Sequence, residues 1–344
     1  MNGFEYELID PFLLDQSFGF LNDVTGGKVT ESYRGDYRAT ASIDIDGEFP
    51  DARYLIRIWR VEEGESEQVR TMLGTFTQGK PSIRYINGRK IGSIPLYSSM
   101  YRLGLDLVAY PRTYAAGTEI IPLFESIVKE SGSTPWVHPG FISGAMFGSE
   151  TVWEGGETTL SMCHKCANAL GAMVGVDSLG RITLEPYQPP AYLSDSFAIN
   201  SYSADIVCEG VGITTADWCN YAVVTATVDE VEYVGTATVD VNNPLHPKRI
   251  GYWKADYSTM SDPPASDVQA VVELAAKTKL AELSNAPNIY SAEMLYCNIT
   301  CGEVGTFWYK DSPDDDGLFV RALVTQREID LTPAMRMRVT FEEV

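Results

Sequence analysis

The segment Ala41-Ser42-Ile43-Asp44-Ile45-Asp46 decides the fold. Apolar and polar residues alternate strictly, and successive side chains of a strand point to opposite faces. One face therefore meets a core and the other meets water. Outward from it, Tyr6–Leu14, Lys28–Tyr33, Ala39–Asp46, Arg53–Val61 and Gln68–Gln78 are short, rich in β-branched or aromatic residues, and bounded by Gly, Asp or Pro. Asn87-Gly88 joins Ile83–Ile86 to Arg89–Leu96 as a tight hairpin, because both residues tolerate positive φ. The first 112 residues thus read as an antiparallel meander that closes as a small barrel.

Beyond residue 112 the pattern changes. Thr118 is placed to cap a helix over Glu119–Lys129, with Pro122 in its first turn and Gly132 past its end. Gly132–Gly156 has no periodicity and reads as a loop. A second helix is expected over Glu157–Val174, apolar on most sides and so largely buried. Asp177-Ser178-Leu179-Gly180 then turns into a strand, Arg181–Glu185, and Pro186, Pro189 and Pro190 stiffen a connector. Residues 113–190 form a helix-loop-helix-strand insert.

The β-pattern resumes after the connector. Ala204–Ile213 and Tyr221–Val228 are expected to pair, followed by Glu232–Val241 and an irregular stretch, Asn242–Asp262. Ser266 and Gln269 make a capping box for a helix over Asp267–Leu283, whose Val272, Ala276, Leu280 and Leu283 face inward. Ala292–Thr300, Leu318–Ile329 and Met335–Phe341 close the chain as strands. Residues 191–344 therefore mirror the first module in outline, and the fold class is mainly β with a few helices (α+β).

Bulk composition excludes several functions. The net charge of −21 gives no basic patch to displace counterions, so tight binding to a nucleic-acid backbone is excluded. The acids are scattered, as on a solvated surface, and the same scatter suits a wall along which DNA slides. Met1–Asp10 has neither a basic start nor an apolar segment, so no signal peptide is expected, and no run is long enough to span a membrane. The 19 Tyr, 13 Phe and 6 Trp favour strands, as core or as interface.

Reactive constellations are lacking in the sequence. His138, His164 and His246 have no flanking carboxylate, and no nucleophile elbow, phosphate loop or His-Glu-x-x-His occurs. Cys163-His164-Lys165-Cys166 has a zinc-like spacing, and Cys297 with Cys301 would have to complete the site. Cys163 and Cys166 fall inside apolar helical stripes, so the six cysteines read as free buried thiols. Asp311–Gly317 offers clustered carboxylates without the ordered spacing of a calcium loop, and reads as a solvated hairpin tip. No catalytic, cofactor-binding or metal-binding residue is expected.

The order of segments resembles the baseplate hub or minor tail proteins of long-tailed phages. The resemblance is carried by Arg38–Ile45, by Arg53–Arg60 followed by Leu73-Gly74-Thr75-Phe76, and by Ala116-Gly117-Thr118 leading into Ile121–Gly132. Thr158–Tyr187 is the closest stretch, with Asp177-Ser178-Leu179-Gly180-Arg181 and Glu185-Pro186. Asn220–Thr225 and Asn243-Pro244-Leu245 to Ile250-Gly251 resemble the start of the family's second β-domain.

The resemblance implies two tail-tube-like barrels per chain and a homotrimeric ring joining tube to tip. Its partners would be the distal-tail or tail-tube ring, the tape-measure protein and tail-tip or fibre proteins. DNA would pass through the channel without specific binding. The protein would sit in the virion tail after assembly in the host cytoplasm. Relatives with a fused peptidase or lysozyme exist, and none is expected here after the strand that closes at Val344. Three other readings remain open: the neighbouring distal-tail ring, a carbohydrate- or receptor-binding tip protein, and a wall hydrolase.

Overall fold

The computed structural model describes the chain apart from residues 1–2, 64–67, 142–143, 202–207, 216–217, 229–230, 261–267, 285–287 and 311–316. The expected capping residue Ser266 and the acidic loop 311–316 lie outside the described residues.

The first eight strands are β1 (Gly3–Ile9), β2 (Ser17–Leu21), β3 (Val24–Ser32), β4 (Ala39–Asp46), β5 (Leu55–Glu63), β6 (Gln68–Gln78), β7 (Ser82–Ile86) and β8 (Arg89–Tyr97). The alternating segment is β4, and Ala41, Ile43 and Ile45 are buried while Asp44 is exposed. Burying each of the two isoleucine side chains stabilises the fold by about 1.5–3 kcal/mol. The hairpin between β7 and β8 turns at Asn87 and Gly88, whose φ values are +51° and +80°. The strand expected over Tyr6–Leu14 stops at Ile9. Asp10 Oδ1 accepts from the backbone N–H of Phe12 and of Leu13 and turns the chain into β2.

The insert contains α1 (Ser99–Leu105), β9 (Arg112–Tyr114), α2 (Ile120–Glu130), β10 (Pro135–Val137), β11 (Thr151–Trp153), α3 (Thr159–Leu170), β12 (Ala172–Val176) and β13 (Ile182–Pro186). Glu119, not Thr118, is the N-cap of α2, and the Thr118 hydroxyl donates to the Ala115 carbonyl instead. The stretch 132–156 is not all loop, since β10 pairs with β13 and β11 with β9. The second helix starts one residue after Thr158, whose side chain accepts from Ser161 N–H, and it ends at Leu170 rather than Val174. Gly171 takes a left-handed conformation at φ +61°, and Val174 then pairs in register with Leu184. The β-branched Val174 and Val176 gain more from this ladder than from another helical turn.

The remaining elements are β14 (Phe197–Asn200), β15 (Cys208–Thr215), β16 (Tyr221–Val228), β17 (Val231–Thr238), α4 (Pro247–Ile250), β18 (Ala255–Thr259), α5 (Val268–Leu283), β19 (Asn288–Leu295), β20 (Val304–Tyr309), β21 (Leu318–Asp330) and β22 (Arg336–Glu343). Residues 204–207 lie outside the described residues; among those described, the expected pairing of Ala204–Ile213 with Tyr221–Val228 is not found, and β15 lies beside β19. β16 pairs antiparallel with β17 and parallel with β18. The irregular stretch 242–262 contains α4 and β18.

By internal contacts the chain separates into two units, residues 1–211 with 291–342 and 344, and residues 212–290 with 343. Strands from both ends of the chain share one sheet. β3 pairs with β21 from Gln326↔Ser32 to Asp330↔Lys28, and the sheet runs on through β4, β8, β6, β5, β1 and β2. In the second unit α5 packs on β16, with Val272 and Ala276 buried against Val224 and Ala226. Gly235 on β17 permits this approach: a Cβ there would lie 2.2 Å from the Val272 carbonyl oxygen. The chain is mainly β, with large antiparallel sheets and few helices.

Candidate functional site

In the first unit, two of the short motifs meet. Thr75 lies on β6 in Leu73-Gly74-Thr75-Phe76, and Ser178 lies in the turn between β12 and β13. The Thr75 hydroxyl donates to the Ser178 carbonyl at 2.9 Å and accepts from Arg57 Nε at 3.0 Å. Beside it, the Ser99 hydroxyl donates to the Gly180 carbonyl at 2.6 Å. The turn itself is held by Asp177, which accepts from Arg181 N–H at 2.8 Å and from Arg181 Nε at 2.6 Å. Gly180, at φ +86°, brings the turn down onto Thr75 and Ser99.

A cavity of about 530 Å³ opens next to this joint. Its walls come from the meander, the β12–β13 hairpin and the segment before β20. Arg327 in the wall is buried, and its guanidinium donates to Glu31 and to the Ile299 carbonyl. Burial is the largest single effect and lowers its pKa, yet the charge and hydrogen bond of Glu31 together with Tyr296 and Cys301 raise it overall. Arg38, at φ +57°, donates from Nε and Nη2 to the Val174 carbonyl, each at 3.3 Å. The two arginines of the wall are thus held by backbone carbonyls and, for Arg327, by Glu31. The Cys301 thiol in the wall is pushed up to about 12, chiefly by burial and secondarily by Glu31. A thiol in that range is a poor nucleophile at neutral pH.

The cysteines singled out in the sequence do not assemble. Cys163 and Cys166 are fully buried in the core that α2 and α3 build with β12 and β13. Burial raises the Cys163 pKa well beyond its ordinary range and pushes Cys166 up to about 12. Cys297 is pushed up to about 11 by burial, and its sulfur is 3.8 Å from that of Met294. Among the described residues no three His, Cys, Asp or Glu side chains form a metal-holding group.

Two of the histidines close turns. His138 Nδ1 accepts from Gly140 N–H at 3.0 Å, and His246 Nδ1 accepts from Lys248 N–H at 3.2 Å as the cap of α4. His164 is exposed at the surface, and partial desolvation of its ring and then the Arg38 charge hold it below its ordinary pKa. Sequence reasoning named none of Thr75, Ser99, Arg327 or Glu31 as residues of a site. The signal for Thr75 and Ser178 was their two motifs, and nothing in either motif says that they touch.

A scan against protein-family models finds no match, and a search of curated proteins finds none. Solved structures do match. A tail protein from Neisseria meningitidis MC58 is 12% identical, with a TM-score of 0.67 over 99% of this chain and 97% of that chain. The 43 kDa tail protein of prophage MuSo2 from Shewanella oneidensis is 10% identical, with a TM-score of 0.66 over 99% and 98%. Prophage tail protein gp18 from Listeria monocytogenes EGD-e is 11% identical, with a TM-score of 0.54 over 98% and 94%. At these identities the likeness is one of fold: along nearly its whole length, this chain is built like these tail proteins.

Proposed function

We propose that the chain is a non-enzymatic structural subunit of a phage or phage-like tail, and specifically a baseplate hub protein. Three copies close a ring that joins the tail tube to the tip and leaves a channel for the tape-measure protein and DNA. Each copy contributes two tube-like β-modules, residues 1–112 and 191–344, with the insert 113–190 between them. The observation that carries this reading is the extent of the fold likeness, which takes in 99% of the chain against two tail proteins. The insert and the closing strands are included in that span, so the likeness is not that of one common β-module.

Two physical features support it. Open strand edges are a liability for a monomer and are removed when copies pair into a ring. An acidic chain that lines a channel repels DNA over about a Debye length, ~8–10 Å at physiological salt, and so lets it pass. Among the described residues no helix is long and apolar enough to cross a membrane.

Copy number in purified intact tails tests the proposal. Three copies per tail support the hub, whereas six would assign the chain to the neighbouring distal-tail ring. Binding of the isolated chain to host-wall glycans would instead favour a receptor-binding role.

A further inference from the structure

The first unit has two strands that pair on one side only, and the segments around them carry opposite charge. Among the described residues β2 pairs only with β1, and β7 pairs only with β8. Each therefore presents a row of unpaired backbone groups to which another strand can add.

The segment Lys80–Lys90, which holds β7 and the start of β8, is exposed at every residue. It contains Lys80, Arg84, Arg89 and Lys90 and no acid, within a chain of net charge −21. Among the described residues Arg89 pairs with Asp46 at 2.7 Å, and no ion pair engages Lys80, Arg84 or Lys90. Tyr85 is 74% exposed, and Ile83 and Ile86 are exposed beside it. Tyr85 is opposite Lys90 and Ile86 opposite Arg89, so both faces of the hairpin carry an apolar group next to a cation.

The segment around β2 is the complement. Residues 10–23 contain Asp10, Asp15 and Asp23 and no base. Phe12 is 72% exposed, and Leu13, Phe18 and Phe20 are exposed too. Asp10 and Asp23 are fixed by accepting backbone N–H groups, the latter from Glu48 at 2.9 Å. Clustered aromatic groups on an unpaired edge mark an interaction site rather than a solvated surface.

We propose that the hairpin 80–90 of one copy of this chain adds to the β2 edge of the next copy. The cations of the hairpin meet the acids of residues 10–23, and Ile83 and Tyr85 cover Phe18 and Phe20. This rests on the ring reading above and names the contact that closes it. The two surfaces are different patches of one chain, so the contact can repeat head-to-tail until a ring closes, as the ring reading requires. Hairpin against hairpin would oppose like charges, and so would edge against edge, which disfavours pairing of either patch with itself; a mass of three chains rather than two in solution separates the ring from a reciprocal dimer.

The test uses the full chain and measures mass in solution by sedimentation across protein concentrations. Arg84→Glu with Lys90→Glu reverses the hairpin, and Asp15→Lys with Gln16→Lys reverses the edge. All four side chains are exposed, so circular dichroism is expected to be unchanged. Each reversal is expected to weaken assembly by about ten-fold or more. Combining both in one chain is expected to restore it. An oligomer of undiminished strength in either reversal, or no restoration in the combination, overturns this contact and leaves the ring reading standing. A wild-type chain that stays monomeric at every concentration overturns both.

Discussion

The Thr75 hydroxyl donates to the Ser178 carbonyl at 2.9 Å across 103 residues of sequence. The same oxygen accepts from Arg57 Nε, and Thr75 and Arg57 are both buried. One hydroxyl thereby ties the turn of the insert to the sheet of the meander.

Thr75→Val keeps the shape and removes the hydroxyl. It leaves a carbonyl and a guanidinium N–H short of a partner, which costs about 1–3 kcal/mol. The urea midpoint is expected to fall with little change in slope. Thr75→Ser is expected to recover most of the loss, and a Thr75→Val midpoint equal to that of the wild type would show that the joint is not held here.

The pair Arg327 and Glu31 is nearly removed from water, with side chains 4% and 16% exposed. Arg327→Met strands Glu31, and a loss of about 3–5 kcal/mol is expected. Adding Glu31→Gln relieves the stranded charge, so the double variant is expected to be more stable than Arg327→Met alone. A double-mutant cycle measures this coupling, and strict additivity would refute it.

His164 gives a pH dependence of definite sign. Partial desolvation of the ring and then the Arg38 charge depress its folded pKa, against a smaller opposing effect of Asp36. The unfolded chain then binds the proton first as pH falls through about 6.5, the ordinary value. This contribution to stability is full above that pH and is lost as pH falls on toward the lower folded value. His164→Asn is expected to lose less stability between about pH 7 and pH 5 than the wild type. Equal losses in denaturant midpoints would count against the assignment.

Cys163 and Cys166 are expected to resist alkylation in the native protein at pH 8 and to react only after unfolding. Both are fully buried, and burial disfavours their thiolates. Peptide mapping after maleimide treatment reads this by residue. Rapid native labelling at either position would contradict the buried core of α2 and α3.

Period and turn chemistry made much of the local structure legible. β4 and β6 lie where the residues predict them, and Asn87-Gly88 turns the hairpin because both can adopt positive φ. The end of α3 was not legible, because Met173 and Val174 continue its apolar stripe although Gly171 stops the helix. β20 was missed because its burial depends on distant partners. A Cβ on Gly305 would lie 2.3 Å from the Phe197 carbonyl oxygen, a closeness no local pattern records. The pairing of β3 with β21 likewise joins residues about three hundred positions apart, and neither strand names the other.

A three-dimensional image of the assembled tail tests the central claim most directly. The account predicts three copies of this chain in one ring, six β-modules around an open bore, and continuity with the tube above. Six copies in that ring, or density filling the bore with this chain, would contradict it.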